Sequence, residues 1–292
     1  MQLTLGPIPY FWTREQVFAF YRQAGDWPVD RVYLGETVCS KRRELNLDDW
    51  LTIAEDLHEQ GKEVILSSLT LIEARSEAAS LKTLCRAGLA VEANDYTAVA
   101  IAAEQGRSFV GGSPLNLYNR AAIDTLAVSG MTDWIPPLEM DAGQLGEILA
   151  TRPPVRTELF AFGRMPLAWS ARCFAARAHD RPKDDCGFVC RQFPDGLPIR
   201  TREGGDFLVI NGIQTQSHHC LDLLPHRDEI RELGVDAVRL SPQSMHMDRV
   251  VQRWADALAE SAPPRLDPDW LPAERADGYW RNRPGMEATE PA

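Results

Sequence analysis

The sequence predicts an α/β protein with a TIM-like (β/α) barrel, a cysteine-rich insertion and a short C-terminal tail. Apolar runs of strand length alternate with amphipathic stretches of helix length, which is typical of parallel strands covered by helices. With about eight or nine such units, a closed barrel is favoured because it leaves no edge strand to protect. The chain has neither G-x-G-x-x-G after its first strand nor a Walker sequence, so the common nucleotide-binding sheets are disfavoured.

The individual elements follow from local composition and periodicity. Short runs rich in β-branched and aromatic residues, most of them closed by Gly, Ser or Asn, are predicted as strands. These strands are 3–8, 31–35, 63–68, 89–94, 108–112, 133–139, 157–163, 207–212 and 237–242. The amphipathic stretches predicted as helices are 14–23, 47–61, 70–84, 95–105, 141–150, 222–233 and 244–260. Asp48 and Asp95 are predicted to cap two of these helices.

Two segments depart from the alternation. Residues 164–206 are rich in Cys, Arg and Asp and are too long for an ordinary loop between a strand and a helix. We therefore predict an insertion there, inside a barrel domain that covers residues 1–261. Residues 262–292 are rich in Pro, Glu and Arg, and we predict a tail that packs on the surface.

Composition and charge restrict the class of protein. The chain has 292 residues, 31 basic and 42 acidic side chains, and a formal charge of −11. This charge disfavours nonspecific binding to nucleic acid, which requires Lys and Arg against the phosphates. The amino terminus does not resemble a signal peptide and no apolar run is long enough to span a membrane. We therefore expect a cytoplasmic protein with reduced thiols.

Four of the six cysteines are predicted to form one site. Cys186 and Cys190 are separated by three residues, and Cys173 precedes them in the same insertion. Cys39 follows the predicted second strand, and in a β/α barrel the loops after different strands meet on one face. Four thiolates suit zinc or a 4Fe–4S cluster. Spacing alone leaves zinc, the iron–sulfur cluster and the absence of any metal open.

The other two cysteines are interpreted as structural. Cys85 lies beside leucines on a predicted helix and is expected to be a buried core thiol. Cys220 follows His218 and His219, a trio that can indicate a metal site. No further ligand stands at a matched spacing, so we predict a helix start at the barrel face there.

Polar residues at the ends of predicted strands are candidates for catalysis, because barrel enzymes build their sites on that face. The set is Glu36, Glu92, Asn94, Ser113, Asn116, Glu139, Asn211 and Arg239. Glu36 or Glu139 is a candidate acid or base if burial raises its pKa. Arg239 is a candidate to grip a carboxylate with two nitrogens. The alternative interpretation is that these residues only cap helices and hydrogen-bond loops.

Several segments resemble a known family. GETVCSKRRE (35–44), FGRMPLAWSARCF (162–174) and DDCGFVC (184–190) carry the cysteines, and LGPIPYFW (5–12) and VINGIQTQS (209–217) extend the match. The sequence resembles the collagenase-like peptidase family, and within it the ubiquinone biosynthesis proteins, from Leu3 to Trp280. No Ser–His–Asp, Cys–His or HExxH arrangement of a peptidase can be placed in the chain.

The resemblance implies a cofactor, a partner and an activity. It implies a 4Fe–4S cluster bound by Cys39, Cys173, Cys186 and Cys190, and a heterodimer with a sister protein, UbiU. The implied activity is oxygen-independent hydroxylation of the aromatic ring of prenylated ubiquinone precursors, with prephenate as a candidate oxygen donor. Two alternatives remain: hydroxylation of RNA bases, as in relatives of the family, and a non-catalytic iron–sulfur partner subunit.

Overall fold

The computed structural model describes residues 1–260 and 264–289. Its strands are β1 (Gln2–Leu5), β2 (Arg31–Leu34), β3 (Glu63–Ser67), β4 (Ala90–Ala93), β5 (Phe109–Gly111), β6 (Met131–Trp134), β7 (Arg156–Trp169), β8 (Leu197–Arg200), β9 (Asp206–Asn211), β10 (Gln214–Asp222), β11 (Ala237–Leu240) and β12 (Arg275–Ala276). Strands β1 to β7 pair in parallel in sequence order, and β11 pairs in parallel with both β7 and β1. The predicted TIM-like barrel of eight parallel strands is therefore confirmed.

Helices cover the outside of this barrel. They are α1 (Arg14–Gly25), α2 (Leu47–Glu59), α3 (Arg75–Cys85), α4 (Tyr96–Glu104), α5 (Arg120–Val128), α6 (Ala142–Ala150), α8 (Arg227–Glu232) and α9 (Met247–Leu258), whereas α7 (Phe174–Arg177) lies in the insertion after β7. Asp95 caps α4 as predicted, because its side chain accepts from the Thr97 N–H at 2.7 Å. The prediction for Asp48 is wrong: Asn46 caps α2 by accepting from the Asp49 N–H at 2.9 Å.

Strand β7 connects the barrel to the insertion. Its first residues pair with β6 and β11, whereas its later residues leave the barrel and pair antiparallel with β10. Strand β9 pairs antiparallel with β10, and β8 pairs antiparallel with β9, so these strands continue the sheet beyond the barrel. Residue 164, the predicted start of the insertion, therefore lies within a continuous strand. The predicted helix start at His218–Cys220 is wrong, because these residues lie in strand β10, in which Cys220 pairs with Arg164 of β7.

The end of the chain packs against β10. Strand β12 pairs with β10, and Trp280 is buried to 3% exposure beside them. The predicted domain boundary between residues 261 and 262 lies outside the described residues. Over residues 1–260 and 264–289, no helix has both the length and the apolar character needed to cross a membrane.

The barrel interior contains a column of paired charges in place of purely apolar layers. Arg31 donates to Asp133 at 2.9 Å and to Glu158 at 3.2 Å. Arg239 donates to Glu158 at 2.7 Å and to Glu92 at 2.6 Å, and its guanidinium lies 3.9 Å from the ring centroid of Tyr33. All of these side chains are buried. Side chains from β2, β4, β6, β7 and β11 are thus held together at the barrel axis.

Glu158 is the centre of this column. Its carboxylate also accepts hydrogen bonds from Thr4 at 2.8 Å and from the Tyr33 hydroxyl at 2.6 Å. Burial alone would raise its pKa, but Arg239, Tyr33 and Arg31 outweigh burial and lower the pKa below the ordinary value. The group is therefore ionised, and its negative charge compensates two buried arginines.

We expect Glu158→Gln to destabilise the fold strongly, because it leaves Arg31 and Arg239 without their shared countercharge. Loss of one partner from a buried ion pair lowers the free energy of unfolding by about 3–5 kcal/mol. Urea unfolding followed by circular dichroism measures the change, with exposed Glu147→Gln on α6 as the control. A loss within about 0.5 kcal/mol for Glu158→Gln, the range of ordinary surface substitutions, would show that the charged column does not hold the barrel.

Candidate functional site

Four cysteines from separate parts of the chain meet at the carboxyl face of the barrel. Cys39 lies in the loop after β2, Cys173 immediately precedes α7, and Cys186 and Cys190 lie in the turns that follow α7. Cys173 is close enough to influence the ionisation of both Cys39 and Cys190, and Cys186 acts on Cys190 in the same way. All four are partly exposed free thiols. The structure therefore brings the predicted set together.

Two lysines tie the cysteine-bearing segments to one another. The Lys41 ammonium donates to the Lys183 carbonyl at 2.9 Å and to Asp184 at 2.7 Å, which joins the Cys39 loop to the turn before Cys186. The Lys183 ammonium donates to the Ala171 carbonyl at 2.7 Å, just before Cys173. Each lysine thus crosslinks two segments that carry different cysteines.

Arg42 supplies a buried positive charge beside the thiols. Its guanidinium donates to the Pro9 carbonyl at 2.8 Å and to Asn211 at 2.6 Å, and it also forms a hydrogen bond with the Cys190 side chain. Asn211 in turn donates to the Pro9 carbonyl at 2.7 Å. A fixed cation at this position favours thiolates, which are the forms that bind metals.

The backbone between Cys186 and Cys190 reverses direction within two residues. Gly187 and Phe188 have φ values of 58° and 52°, both in the left-handed region. A side chain at Gly187 would also meet the Arg181 guanidinium at 2.5 Å from the position of its Cβ. Glycine adopts this conformation without strain, so Gly187 favours the turn between Cys186 and Cys190.

Backbone N–H groups point at two of the sulfurs. The Ala176 N–H donates to the Cys173 sulfur at 3.4 Å, and the Lys41 N–H donates to the Cys39 sulfur. Burial raises the pKa of the Cys39 and Cys190 thiols, and Arg42 opposes the rise in both. Hydrogen bonds to sulfur and a nearby cation are the surroundings that stabilise metal-bound thiolates.

The donor set fits a soft metal or an iron–sulfur cluster in its chemistry, because four thiols lie in one neighbourhood with compensating charge. Among the described residues, however, no group of three or more His, Cys, Asp or Glu side chains has an arrangement that could hold a metal ion.

A second feature is a small cavity of about 70 Å³ at the barrel mouth. Four buried polar atoms of its lining have no hydrogen-bond partner within the described residues: Arg164 Nε, Trp169 Nε1, Gln216 Oε1 and Arg239 Nη2. Three are donors and one is an acceptor. Because an unsatisfied buried polar atom costs about 1–3 kcal/mol, the cavity suits a small polar group with oxygen acceptors.

The candidate catalytic residues are not gathered into one place. Arg239 lines the barrel-mouth cavity together with Glu92, Asn94 and Ser113 of the predicted polar set. Two of its three nitrogens are bound to Glu92 and Glu158, so only Nη2 is left for a ligand instead of the expected two-nitrogen grip.

The two candidate glutamates lie apart from that cavity. Glu36 accepts from the Val38 and Cys39 N–H groups at 2.8 and 3.0 Å, and burial raises its pKa. Glu139 is exposed and accepts from the Tyr118 hydroxyl. Glu36 therefore supports the cysteine loop, and Glu139 lies at the surface.

Sequence reasoning did not identify Lys41, Lys183, Trp169 or Gln216. Lys41 stands two residues after Cys39, so its position was visible, but its partners lie more than a hundred residues away in the chain. Trp169 and Gln216 lie on the extended part of β7 and on β10, which the sequence pattern did not predict as a pair. Their convergence depends on that pairing.

We expect the six thiols of the metal-free protein to fall into two classes. Cys39, Cys173, Cys186 and Cys190 are partly exposed, whereas Cys85 and Cys220 are 0% exposed, which confirms the core position predicted for Cys85. A thiol-specific chromogenic disulfide should modify four thiols in the folded protein and the other two only after denaturation. Rapid modification of all six, or of fewer than four, would contradict the structure.

The chain is similar to one sequence family and to several solved structures. Residues 15–261 match the sequence profile of peptidase family U32. The U32 peptidase Mk0906 is similar with 12% identity and a TM-score of 0.47, covering 83% of this chain and 93% of that one. A DAHP synthase from Thermotoga maritima has 9% identity and a TM-score of 0.48, covering 94% and 71%. Dihydropteroate synthase from Thermus thermophilus has 13% identity and a TM-score of 0.41, covering 87% and 93%.

The two kinds of similarity differ in what they establish. At identities of 9–13%, the three structural similarities carry nothing about what this chain binds or does. The family profile, in contrast, spans most of the sequence, including all four clustered cysteines. The chain therefore belongs to peptidase family U32, the collagenase-like family that its sequence resembles.

Proposed function

We propose that this chain is a UbiV-type iron–sulfur subunit, which acts with UbiU in oxygen-independent hydroxylation of the aromatic ring of prenylated ubiquinone precursors. The observation that carries the proposal is the convergence of Cys39, Cys173, Cys186 and Cys190 from three separate segments. Convergence of four thiols from distant parts of a chain is unusual for structural cysteines, which are normally isolated in the core. The proposal places this chemistry in the cytoplasm.

The surrounding residues have defined roles in holding such a cluster. Cys39, Cys173, Cys186 and Cys190 would be its ligands, and a bound 4Fe–4S cluster supplies one-electron transfer. Lys41 and Lys183 hold the ligand-bearing segments in register. Arg42 offsets the negative charge of the thiolates and is itself fixed by Pro9 and Asn211.

The barrel-mouth cavity is the proposed site for the polar end of the oxygen donor. Three donors, on Arg164, Trp169 and Arg239, have no hydrogen-bond partner within the described residues, and these side chains belong to the lining of a cavity of about 70 Å³. This volume holds a carboxylate or keto group, not a whole prephenate molecule, so the rest of such a donor would extend out of the mouth. Arg239 Nη2 would bind and orient a carboxylate oxygen there.

The charge of the chain supports a quinone precursor over RNA as the substrate. A formal charge of −11 is unfavourable for a surface that must follow a phosphate backbone. Two of the positive groups beside the cysteines are also already engaged: Lys41 with Asp184 and the Lys183 carbonyl, and Arg42 with Pro9 and Asn211. A neutral aromatic substrate requires no such basic surface.

Anoxic reconstitution with iron and sulfide tests the cofactor. We expect about four iron atoms and four sulfides per chain, with the absorption and EPR spectra of a 4Fe–4S centre. Cys186→Ala should lose most of the iron, whereas Cys85→Ala, which removes a buried thiol outside the site, should retain it. Stoichiometric zinc in place of iron, or equal iron in both variants, would overturn the assignment.

Deletion of the gene tests the pathway. We expect ubiquinone to be lost only in cells grown without oxygen, because the O₂-dependent route replaces the proposed reaction in air. Cys186→Ala should fail to restore anaerobic ubiquinone. If this variant still forms the heterodimer with UbiU, the loss of ubiquinone would come from the loss of the cluster and not from a failure of the subunits to pair. Normal anaerobic ubiquinone in the deletion strain, together with missing hydroxylated bases in its RNA, would replace this proposal with RNA modification.

A further inference from the structure

Four exposed arginines on the cysteine-bearing segments have no acidic partner. They are Arg43, Arg172, Arg177 and Arg181. Within the described residues none of them forms an ion pair, and their side chains make a single hydrogen bond, from Arg43 Nε to the Ser40 carbonyl at 3.3 Å. Because no carboxylate of the described chain neutralises these guanidinium groups, their charge is available to a partner.

Other cations of the same segments are neutralised by the chain itself. Lys183 pairs with Glu73 at 2.6 Å, and Arg191 pairs with Glu44. The four unpaired arginines are therefore a local surplus of positive charge, in a chain whose formal charge is −11. At physiological salt, exposed charges more than about 8 Å apart are largely screened, so a partner that contacts this surface meets the local surplus first.

Two exposed aromatic side chains lie among these cations. Phe174 is 40% exposed and Phe188 is 42% exposed. Phe174 begins α7 and Arg177 ends it three residues later, so both side chains lie on the outer side of this short helix. The Arg181 guanidinium lies against Gly187, the residue before Phe188. Exposed aromatic groups beside arginines are typical of protein interfaces.

The four arginines and two phenylalanines are here named the cysteine face, and its mixture of charges favours a protein over a nucleic acid. Asp180 and Asp185 are exposed in the same segment and form no ion pair within the described residues. A phosphate backbone carries only negative charge and would also meet these carboxylates. A folded protein can place its own carboxylates against the arginines and keep them away from the two aspartates.

We propose that the cysteine face docks an acidic one-electron carrier protein. Carboxylates of the carrier lie against the four arginines, and its apolar contact covers Phe174 and Phe188. The acidic character of the partner follows from the charge surplus. Its role as an electron carrier rests on the proposed function, because Cys173 directly precedes Phe174 and would hold the cluster next to the docked protein. The carrier exchanges one electron with that cluster: one is oxidised as the other is reduced, and no bond forms or breaks.

Isothermal titration of the full chain with two carrier proteins tests the proposal. We expect an acidic 2Fe–2S ferredoxin to bind, and cytochrome c, a basic one-electron carrier, not to bind. Raising the salt from about 0.1 M to about 1 M should weaken ferredoxin binding about tenfold, because the Debye length falls from about 10 Å to about 3 Å. Equal binding of both carriers, or ferredoxin binding that salt does not change, would overturn the proposal.

Charge reversal tests the location. The double variant Arg177→Glu/Arg181→Glu should weaken ferredoxin binding at low salt about tenfold. Its matched control is Arg86→Glu/Arg152→Glu, which changes the net charge equally and should leave binding unchanged. Both control residues are exposed in loops that follow helices, at the end of the barrel opposite the cysteines. Equal weakening in the two double variants would show that only net charge matters and would overturn the docking site.

An apolar substitution tests the centre of the surface. Phe174→Ser should weaken ferredoxin binding at both salt concentrations, because salt does not screen apolar burial. Val128→Ser, at an exposed residue that ends α5, should leave binding unchanged. Circular dichroism shows whether each variant is folded. Unchanged ferredoxin binding in a folded Phe174→Ser variant would contradict the proposed contact.

The outcome is separable from that of the proposed function. Salt-dependent ferredoxin binding that Arg177→Glu/Arg181→Glu weakens, in a protein that takes up no iron, would uphold the docking surface and refute the iron–sulfur function. Normal iron uptake without ferredoxin binding would uphold that function and refute the docking surface. Loss of ferredoxin binding when UbiU joins the complex, or tighter binding of a single-stranded RNA that the same double variant weakens, would also overturn the proposal.

Discussion

The barrel depends on the carboxylate of Glu158, which is buried between two arginines. Its partners Thr4 and Arg239 lie on β1 and β11, and β7 itself carries Glu158, so the hydrogen bonds cross the strands that close the barrel. An ionised group can remain in such a position only when its charge and lone pairs are fully matched. The strands whose side chains contact Glu158 must therefore supply a complementary polar group, which restricts both their register and their sequence.

This constraint determines where chemistry can take place. Two nitrogens of Arg239 bind Glu92 and Glu158, so ion pairs occupy the barrel axis. The third nitrogen, Nη2, has no partner within the described residues and is left for a ligand at the barrel mouth. The other polar atoms of the barrel-mouth cavity without a partner within the described residues include those of Trp169 and Gln216. These belong to the extension of β7 and to β10, so the strand that carries the central charge also builds the cavity above it.

The sequence predicted the barrel well, because its strands are apolar and alternate regularly with helices. It did not predict β10, whose polar run Gln214–His219 pairs with an extended strand instead of filling a core. Arg31 and Tyr33 stand at alternate positions of β2, which places them on one face of the strand. Their partner Glu158 lies 125 and more residues away, a distance across which local patterns carry no information. The four cysteines were identified because their spacing and family resemblance, not their environment, are visible in the sequence.

The loop around Cys39 connects the features that the proposed chemistry requires. Thr37 lines the barrel-mouth cavity, and Cys39 lies near Cys173. The loop is held in place by Glu36, which accepts from two of its N–H groups, and by the Thr37 carbonyl, which accepts from the Thr70 N–H at 2.9 Å. The proposed oxygen donor and a bound cluster would thus be separated by only a few residues of chain. Their relative positions would then be held by this short, hydrogen-bonded loop, and fixed relative positions are the condition under which proximity contributes most to a reaction.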